Sequence, residues 1–347
     1  MLTLLSTERL REKVRLKMSE VIVKPGTLYE VDKRDGKWNV FVDASMLTTF
    51  LDCEQKFVYK YRENLCVRGA VNFKMELGSW WSSTMQLYYN AFRQGDLSKE
   101  EVSHYALQAW TDRKMDDFKP AVPKSFNDFG GKSGAVLMAL RYYDETHAYD
   151  EAHWTVLSVE EGAGRKKELL VGESERVRVY YITLPDLFVL VDKTNLVPVD
   201  HKTKDYITPK QQHEFNPHLQ TCGYIWAARH FATELGLDFT TNSCIINIAA
   251  RDEPGERSKN NQRFKRIPIH YSPSQLDAWA ARVLNAGDRL RQCIETNTWQ
   301  WNDQSCHKYS GCEYRPIDAA PPDARLQVIK SAYTEREPWS QYTPDED

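Results

Sequence analysis

Leu184-Pro185-Asp186-Leu187-Phe188-Val189-Leu190-Val191 leads through the polar break Asp192-Lys193-Thr194-Asn195 into Leu196-Val197-Pro198-Val199-Asp200-His201-Lys202-Thr203. Two apolar runs about a short polar break read as a β-hairpin. Each run carries an acidic residue, Asp186 and Asp200, where backbone can hold it rigidly. Side chains alternate along a strand, so Asp200 and Lys202 share a face and project a carboxylate and an ammonium together. A carboxylate pair gathers Mg²⁺ or Mn²⁺, and a nearby lysine can orient water and offset charge developing on a phosphoryl oxygen. Asp and Lys two apart also occur on solvated strand edges. Here the neighbours Val197 and Val199 imply burial, where charges are rare unless paired or bound to metal.

With 347 residues, 41% hydrophobic and 27% charged, the chain is ordinary globular material, large enough for one elaborated domain or two small ones, of which one is expected. A mean hydropathy of -0.62 and the lack of a long uncharged apolar run argue against a transmembrane helix. Met1 to Lys24 carries Glu8, Glu12 and Glu20, unlike a targeting peptide, so a soluble cytoplasmic protein is expected. The net charge of -3 provides no global field for nucleic acid, so any DNA contact must come from local patches.

The hairpin resembles the RecB-like branch of the PD-(D/E)xK nuclease superfamily, which includes the CRISPR-associated iron-sulfur exonucleases. There a strand carrying the first Asp, often written P-D, precedes one ending D-x-K-T. Pro217-His218-Leu219-Gln220-Thr221-Cys222-Gly223-Tyr224 is similar to the branch's helical Q-x-x-x-Y motif. Ser45 to Tyr61 resembles its opening helix, and the likeness runs through Leu77-Gly78-Ser79-Trp80-Trp81-Ser82 and Tyr88-Tyr89 to Cys306 and Cys312. The resemblance implies a restriction-endonuclease-like α/β fold: a mixed β-sheet core flanked by helices, with a helical N-terminal insertion and a C-terminal cysteine segment. It implies a metal-dependent DNA nuclease, an exonuclease on single strands or ends, working in DNA processing with recombination or repair proteins as partners. A catalytically weak or inactive nuclease-fold module that binds nucleic acid or protein stays open as a second reading, and an unrelated phosphohydrolase as a third.

On that resemblance Asp186 and Asp200 are metal ligands, the backbone carbonyl of His201, which lies between two inward-facing residues, is a third oxygen, and Lys202 positions the attacking water. Thr203 and Lys204 end the strand where a phosphate could meet them, although a solvated Lys204 fits equally. Gln220 and Tyr224 lie four apart on one helical face and could contact the substrate backbone, or Tyr224 could be a core aromatic. Glu160 is a weaker candidate. Where the branch writes G-x-x-x-H, this chain has Gly78 and Ser82, and a hydroxyl is a poor substitute for an imidazole ligand.

Seven cysteines without a secretory signal argue against a disulfide framework, leaving free buried thiols as the default. The resemblance implies a 4Fe-4S cluster on Cys53, Cys306 and Cys312, with the fourth position falling near Asp318 or taken by Cys293. Zn²⁺ or three reduced thiols are the alternatives.

The expected segments are 1–44, an extension with a hairpin about Arg34-Asp35-Gly36; 45–150, helical; 151–300, the nuclease core; and 301–347, the cysteine segment and acidic tail. Ser98-Lys99-Glu100-Glu101 is a capping box opening a helix. Thr155 to Glu160, Leu169 to Ile182, the two hairpin strands, Cys244 to Ala249 and Arg266 to Tyr271 read as one sheet. The Gln220 helix and a Ser274 to Asn297 helix pack on it. Gly131-Lys132-Ser133 fails as a phosphate loop, since Phe126 stands where the first Gly is required. Gly162 to Lys167 and Arg257 to Arg266 offer local basic surface, and Trp80, Trp81 and Trp301 read as core or as base-stacking surfaces. The tail after Ala319 is expected to run over the surface or be disordered.

Overall fold

The computed structural model describes residues 28–70, 73–95, 97–117, 132–159, 167–183, 185–215, 218–235, 241–250, 263–307 and 311–337. Eleven strands are described in chain order: β1 (Tyr29–Val31), β2 (Trp38–Val42), β3 (Leu65–Val67), β4 (Trp154–Val159), β5 (Lys167–Glu173), β6 (Val177–Thr183), β7 (Leu187–Val191), β8 (Asn195–Lys204), β9 (Ser243–Ala250), β10 (Phe264–His270) and β11 (Tyr333–Glu335). The longer helices are α1 (Ala44–Asp52), α2 (Phe73–Gln94), α3 (Lys99–Asp112), α4 (Lys132–His153), α5 (Leu219–Leu235) and α6 (Pro273–Thr296). These elements fall into two units, one drawn from 71–162 and 184–272, the other from 20–70, 163–183 and 273–347.

The first unit is built on a five-stranded sheet in the order β10-β9-β8-β7-β4. The β7–β8 hairpin turns through Asp192 and Lys193, both at positive φ (48° and 62°), the backbone twist that suits a tight hairpin. β8 and β9 are parallel, and a parallel pair needs a crossover, which α5 supplies. Helices cover both faces. Tyr89 of α2 stacks on His201 (ring centroids 5.5 Å), while Tyr224 of α5 bonds Asp200, and adjacent strand residues point to opposite faces. The α2 face holds the core: Trp80, Trp81, Met85, Tyr88 and Tyr142 pack against Val156, Val189, Val197 and Val199. Trp80 and Trp81 are therefore core residues. Ser98 caps α3 with the full capping box, and α4 runs longer than the Gly134–Tyr149 pattern at both ends.

In the second unit a four-stranded sheet has the order β1-β2-β6-β5, with β2 and β6 parallel. The run Leu169 to Ile182, expected in the same sheet as the Asp186–Asp200 hairpin, is instead two antiparallel strands of this sheet. Ser174 makes the turn, its Oγ accepting from the Arg176 and Val177 amides at 3.3 and 3.2 Å. The expected Ser274–Asn297 helix forms as α6 and packs on β5 and β6, the strands of the Leu169 to Ile182 run. Gly287 permits that approach: a Cβ there would stand 2.2 Å from Val179 Cγ2.

The expected opening helix is broken. α1 stops at Asp52, Cys53 is extended (φ -163°, ψ 116°), and a short helix Glu54–Phe57 passes into a π-turn over Val58–Arg62. Asn302 Nδ2 and Ser305 Oγ donate to the Asp52 carbonyl at 2.8 and 3.1 Å, drawing it away from the helical ladder. The tail is also more ordered than expected. A helix at Arg325–Ala332 leads into β11, which pairs with β3, and Tyr333 packs with Tyr59, Leu65, Tyr314 and Ile317. Residues 338–347, Glu160 and the Gly162–Arg165 turn lie outside the described residues. Among those described, no helix is long and apolar enough to cross a membrane.

Candidate active site

β8 places Asp200 and Lys202 side by side on the α5 face, as period two requires. Asp200 is buried, 2% exposed, whereas the Lys202 side chain keeps 30% of its surface. Lys202 Nζ donates to Asp200 Oδ1 at 3.0 Å. Burial works to lower the Lys202 pKa, but the Asp200 and Asp186 carboxylates outweigh it and hold the ammonium above its ordinary value. Asp186 stands in the bend before β7, and its Oδ2 accepts the His201 main-chain N–H at 2.6 Å. The hairpin thus brings both acids to the same stretch of β8.

α5 completes the arrangement. Gln220 Nε2 donates to the Tyr224 hydroxyl at 2.7 Å, and that hydroxyl donates to Asp200 Oδ1 at 3.2 Å. Because the phenol oxygen accepts from Gln220, its own proton is directed at the carboxylate. Tyr224 is buried, so the residue taken as either substrate contact or core aromatic holds Asp200 in place. Two donors converge on Oδ1. Asp200 Oδ2, equally buried, has no hydrogen-bond partner. An ionised oxygen stripped of water and left without a donor is costly unless a cation takes it.

His201 points to the opposite face. Its ring lies against Tyr89, with Nδ1 2.9 Å from Asn247 Nδ2, and burial drives its pKa down to about 3. Behind it Asn247, Tyr142, Tyr89, Asp150 and Arg266 form a buried polar chain: Asn247 bonds Tyr142 at 2.6 Å, the two phenols meet at 2.7 Å, and Tyr89 reaches Asp150 at 2.9 Å. Sequence reasoning missed this network. The signal was Asn247 inside the apolar run Cys244 to Ala249, since a polar residue in a buried strand needs partners.

The remaining candidates divide. Lys204 pairs with Glu214 at 2.7 Å and lies over the Phe215 ring, and Thr203 faces Gly78, which would meet its Oγ1 with a Cβ at 3.4 Å. Ser82 is half-buried one turn beyond Gly78. Among the described residues no three His, Cys, Asp or Glu side chains are grouped to hold a metal ion. A cation here would draw on Asp186, on the unpaired oxygen of Asp200, and on main-chain and water oxygens, an all-oxygen set of the kind Mg²⁺ accepts.

In the second unit Cys53, Cys306 and Cys312 are free thiols, and burial raises the Cys312 pKa with smaller contributions from Cys306 and Cys53. The two fourth positions are engaged elsewhere: Asp318 accepts the Tyr59 hydroxyl at 2.7 Å, and Cys293 donates to Glu54 Oε2 at 3.4 Å. Among the described residues no fourth thiolate stands ready beside these three, so the structure gives no support to the expected 4Fe-4S cluster.

The family model of the PD-(D/E)XK nuclease superfamily matches residues 43–317, which include both acids, Lys202 and the Gln220–Tyr224 pair. The chain belongs to that superfamily. Its mixed sheets and flanking helices are those of a restriction-endonuclease-like PD-(D/E)XK fold. Among solved structures, a phage-related exonuclease from Haemophilus somnus 129PT is similar at 12% identity, covering 62% of this chain and 95% of that one, with a TM-score of 0.24. LHK-Exo in complex with dAMP is similar at 10% identity, covering 63% and 98%, with a TM-score of 0.18. No curated protein matches the chain.

Proposed function

We propose that this PD-(D/E)XK chain is a Mg²⁺- or Mn²⁺-dependent deoxyribonuclease of the RecB-like kind, hydrolysing phosphodiester bonds at single strands or ends. The observation that carries the reading is Asp200: buried, hydrogen-bonded by Lys202 and Tyr224 on one oxygen, and unpartnered on the other. Asp186 and Asp200 would hold the ion, with the His201 carbonyl as an expected third oxygen. The ion supplies Lewis-acid polarisation of the phosphate and a more acidic water.

The protein's own contribution is positional. Lys202, held by Asp200, is a partly exposed ammonium beside the place where the phosphate must lie. It can orient the attacking water and offset charge developing on the phosphoryl oxygens. The Gln220–Tyr224–Asp200 relay fixes the carboxylate, and the His201 N–H fixes Asp186, so neither acid has to be reoriented during reaction. The Gln220–Tyr224 pair against the catalytic acid is what favours the RecB-like kind.

Calorimetric titration of Mn²⁺ into the metal-free protein tests the metal site. Wild type is expected to bind and Asp200→Asn to lose at least tenfold in affinity. Equal affinity in both would remove Asp200 from the site.

A further inference from the structure

His218, the residue before α5, has almost every polar group committed. Its N–H donates to the Tyr271 hydroxyl at 3.0 Å, and its carbonyl accepts the Cys222 N–H at 3.1 Å and Thr221 Oγ1 at 3.0 Å. Its ring Nδ1 accepts the main-chain N–H of Gln220 at 3.3 Å, capping the helix that carries Gln220 and Tyr224. An amide N–H can only donate, so Nδ1 carries no proton and the proton of the neutral ring is on Nε2. The ring is half-buried, and no described protein group takes Nε2–H.

The charges that act on this ring are those of the catalytic site. Burial lowers its pKa most, followed by Lys202, with Asp200 opposing and Lys204 adding. A proton on Nδ1 would also break the helix cap. The ring is therefore a neutral, oriented N–H donor at the start of the helix whose Gln220 and Tyr224 reach Asp200, the acid that pairs with Lys202, and a fixed N–H donor beside a lysine site suits phosphate oxygens.

Resting on the nuclease reading above, we propose that His218 is a ligand of the substrate backbone, its Nε2–H donating to a non-bridging phosphate oxygen of the DNA strand alongside the phosphate that Lys202 addresses. His218 then serves two ends with one ring: Nδ1 starts α5 and Nε2 grips the strand that α5 helps to place.

Two substitutions separate those ends. His218→Asn keeps an acceptor near the Nδ1 position and removes the distal donor. His218→Gln keeps an N–H donor near Nε2 and removes the cap. Binding of a fluorescent single-stranded oligonucleotide is measured by anisotropy in Ca²⁺, cleavage in Mg²⁺, and unfolding in urea, all on the full chain. His218→Asn is expected to weaken binding and raise KM about tenfold or more with an unchanged urea midpoint, as loss of a hydrogen bond to a charged group implies. His218→Gln is expected to lower the midpoint while binding stays within about threefold of wild type. Replacing the contacted phosphate by a neutral methylphosphonate should cost wild type affinity and cost His218→Asn nothing further. Wild-type binding and KM in His218→Asn, or a methylphosphonate penalty of equal size in both proteins, would leave His218 a helix cap only and overturn the proposal. Asp200→Asn in the same assays is the independent control: full cleavage by that variant would sink the nuclease site itself, whatever His218 does.

Discussion

Asp200 accepts two hydrogen bonds on one oxygen and none on the other, and that asymmetry sets the behaviour of its neighbours. Tyr224→Phe removes one of the two donors and leaves Lys202. The expected cost is about 1 kcal/mol of stability, typical of one hydrogen bond, together with about tenfold slower cleavage because the carboxylate is less firmly held. Urea denaturation and single-turnover rates check the two parts separately. His201, on the other face, gives a pH prediction. Its pKa is near 3 when folded and 6.5 in a free chain, so below pH 6.5 the unfolded state binds the extra proton. Stability should rise with pH across that window and be lost as pH falls through it, by up to about 1.4 kcal/mol per pH unit. Urea midpoints of metal-free protein between pH 7 and pH 5 should show a steeper fall in wild type than in His201→Gln. Equal slopes would mean that His201 is not buried as a neutral ring.

Elements with short-range rules were legible in the chain and elements with long-range causes were not. The alternation of β8 placed Asp200 and Lys202 together, and the capping box at Ser98 marked the start of α3. The break at Cys53 depends on Asn302 and Ser305, some 250 positions away, capturing the Asp52 carbonyl, and no local pattern announces it. The β5–β6 hairpin hid because its turn uses a serine hydroxyl where Gly or Pro would have punctuated the run. His218 was visible in the motif, but its role needs the ring's tautomer, which only the Gln220 amide reveals. At this scale α6 is the sharpest test of packing. With Val179 Cγ2 2.2 Å from any Cβ at position 287, Gly287→Ala should destabilise by about 1–3 kcal/mol through overpacking, whereas the helix propensity of Ala alone would stabilise. A raised urea midpoint would contradict the close packing of α6 on β6.

For the whole molecule, sequence order and spatial order part company. The five-stranded sheet takes strands from both sides of β5–β6, and those two strands belong to the other unit. Sequence order alone therefore merges the two sheets into one, while α6 still meets the β5–β6 strands it was expected to cover. The C-terminal segment shows the same effect: β11 pairs with β3, more than 260 positions earlier, and buries Tyr333 against Tyr59 and Tyr314. Truncation after Asp323 should lower the thermal midpoint by several degrees, since it uncovers that aromatic cluster. An unchanged midpoint would make β11 dispensable.

If Asp186, Asp200 and Lys202 form one hydrolytic site in this PD-(D/E)XK chain, single-turnover cleavage of end-labelled DNA must depend on each of them. Wild type, Asp200→Asn and Lys202→Met are purified identically and assayed with Mg²⁺ or Mn²⁺ on single- and double-stranded substrates. Wild type is expected to cleave only with the ion, and each variant to lose about 100-fold or more in rate while keeping its urea midpoint within about 1 kcal/mol of wild type. Cleavage at the wild-type rate by either variant, or cleavage by wild type in excess EDTA, would contradict it.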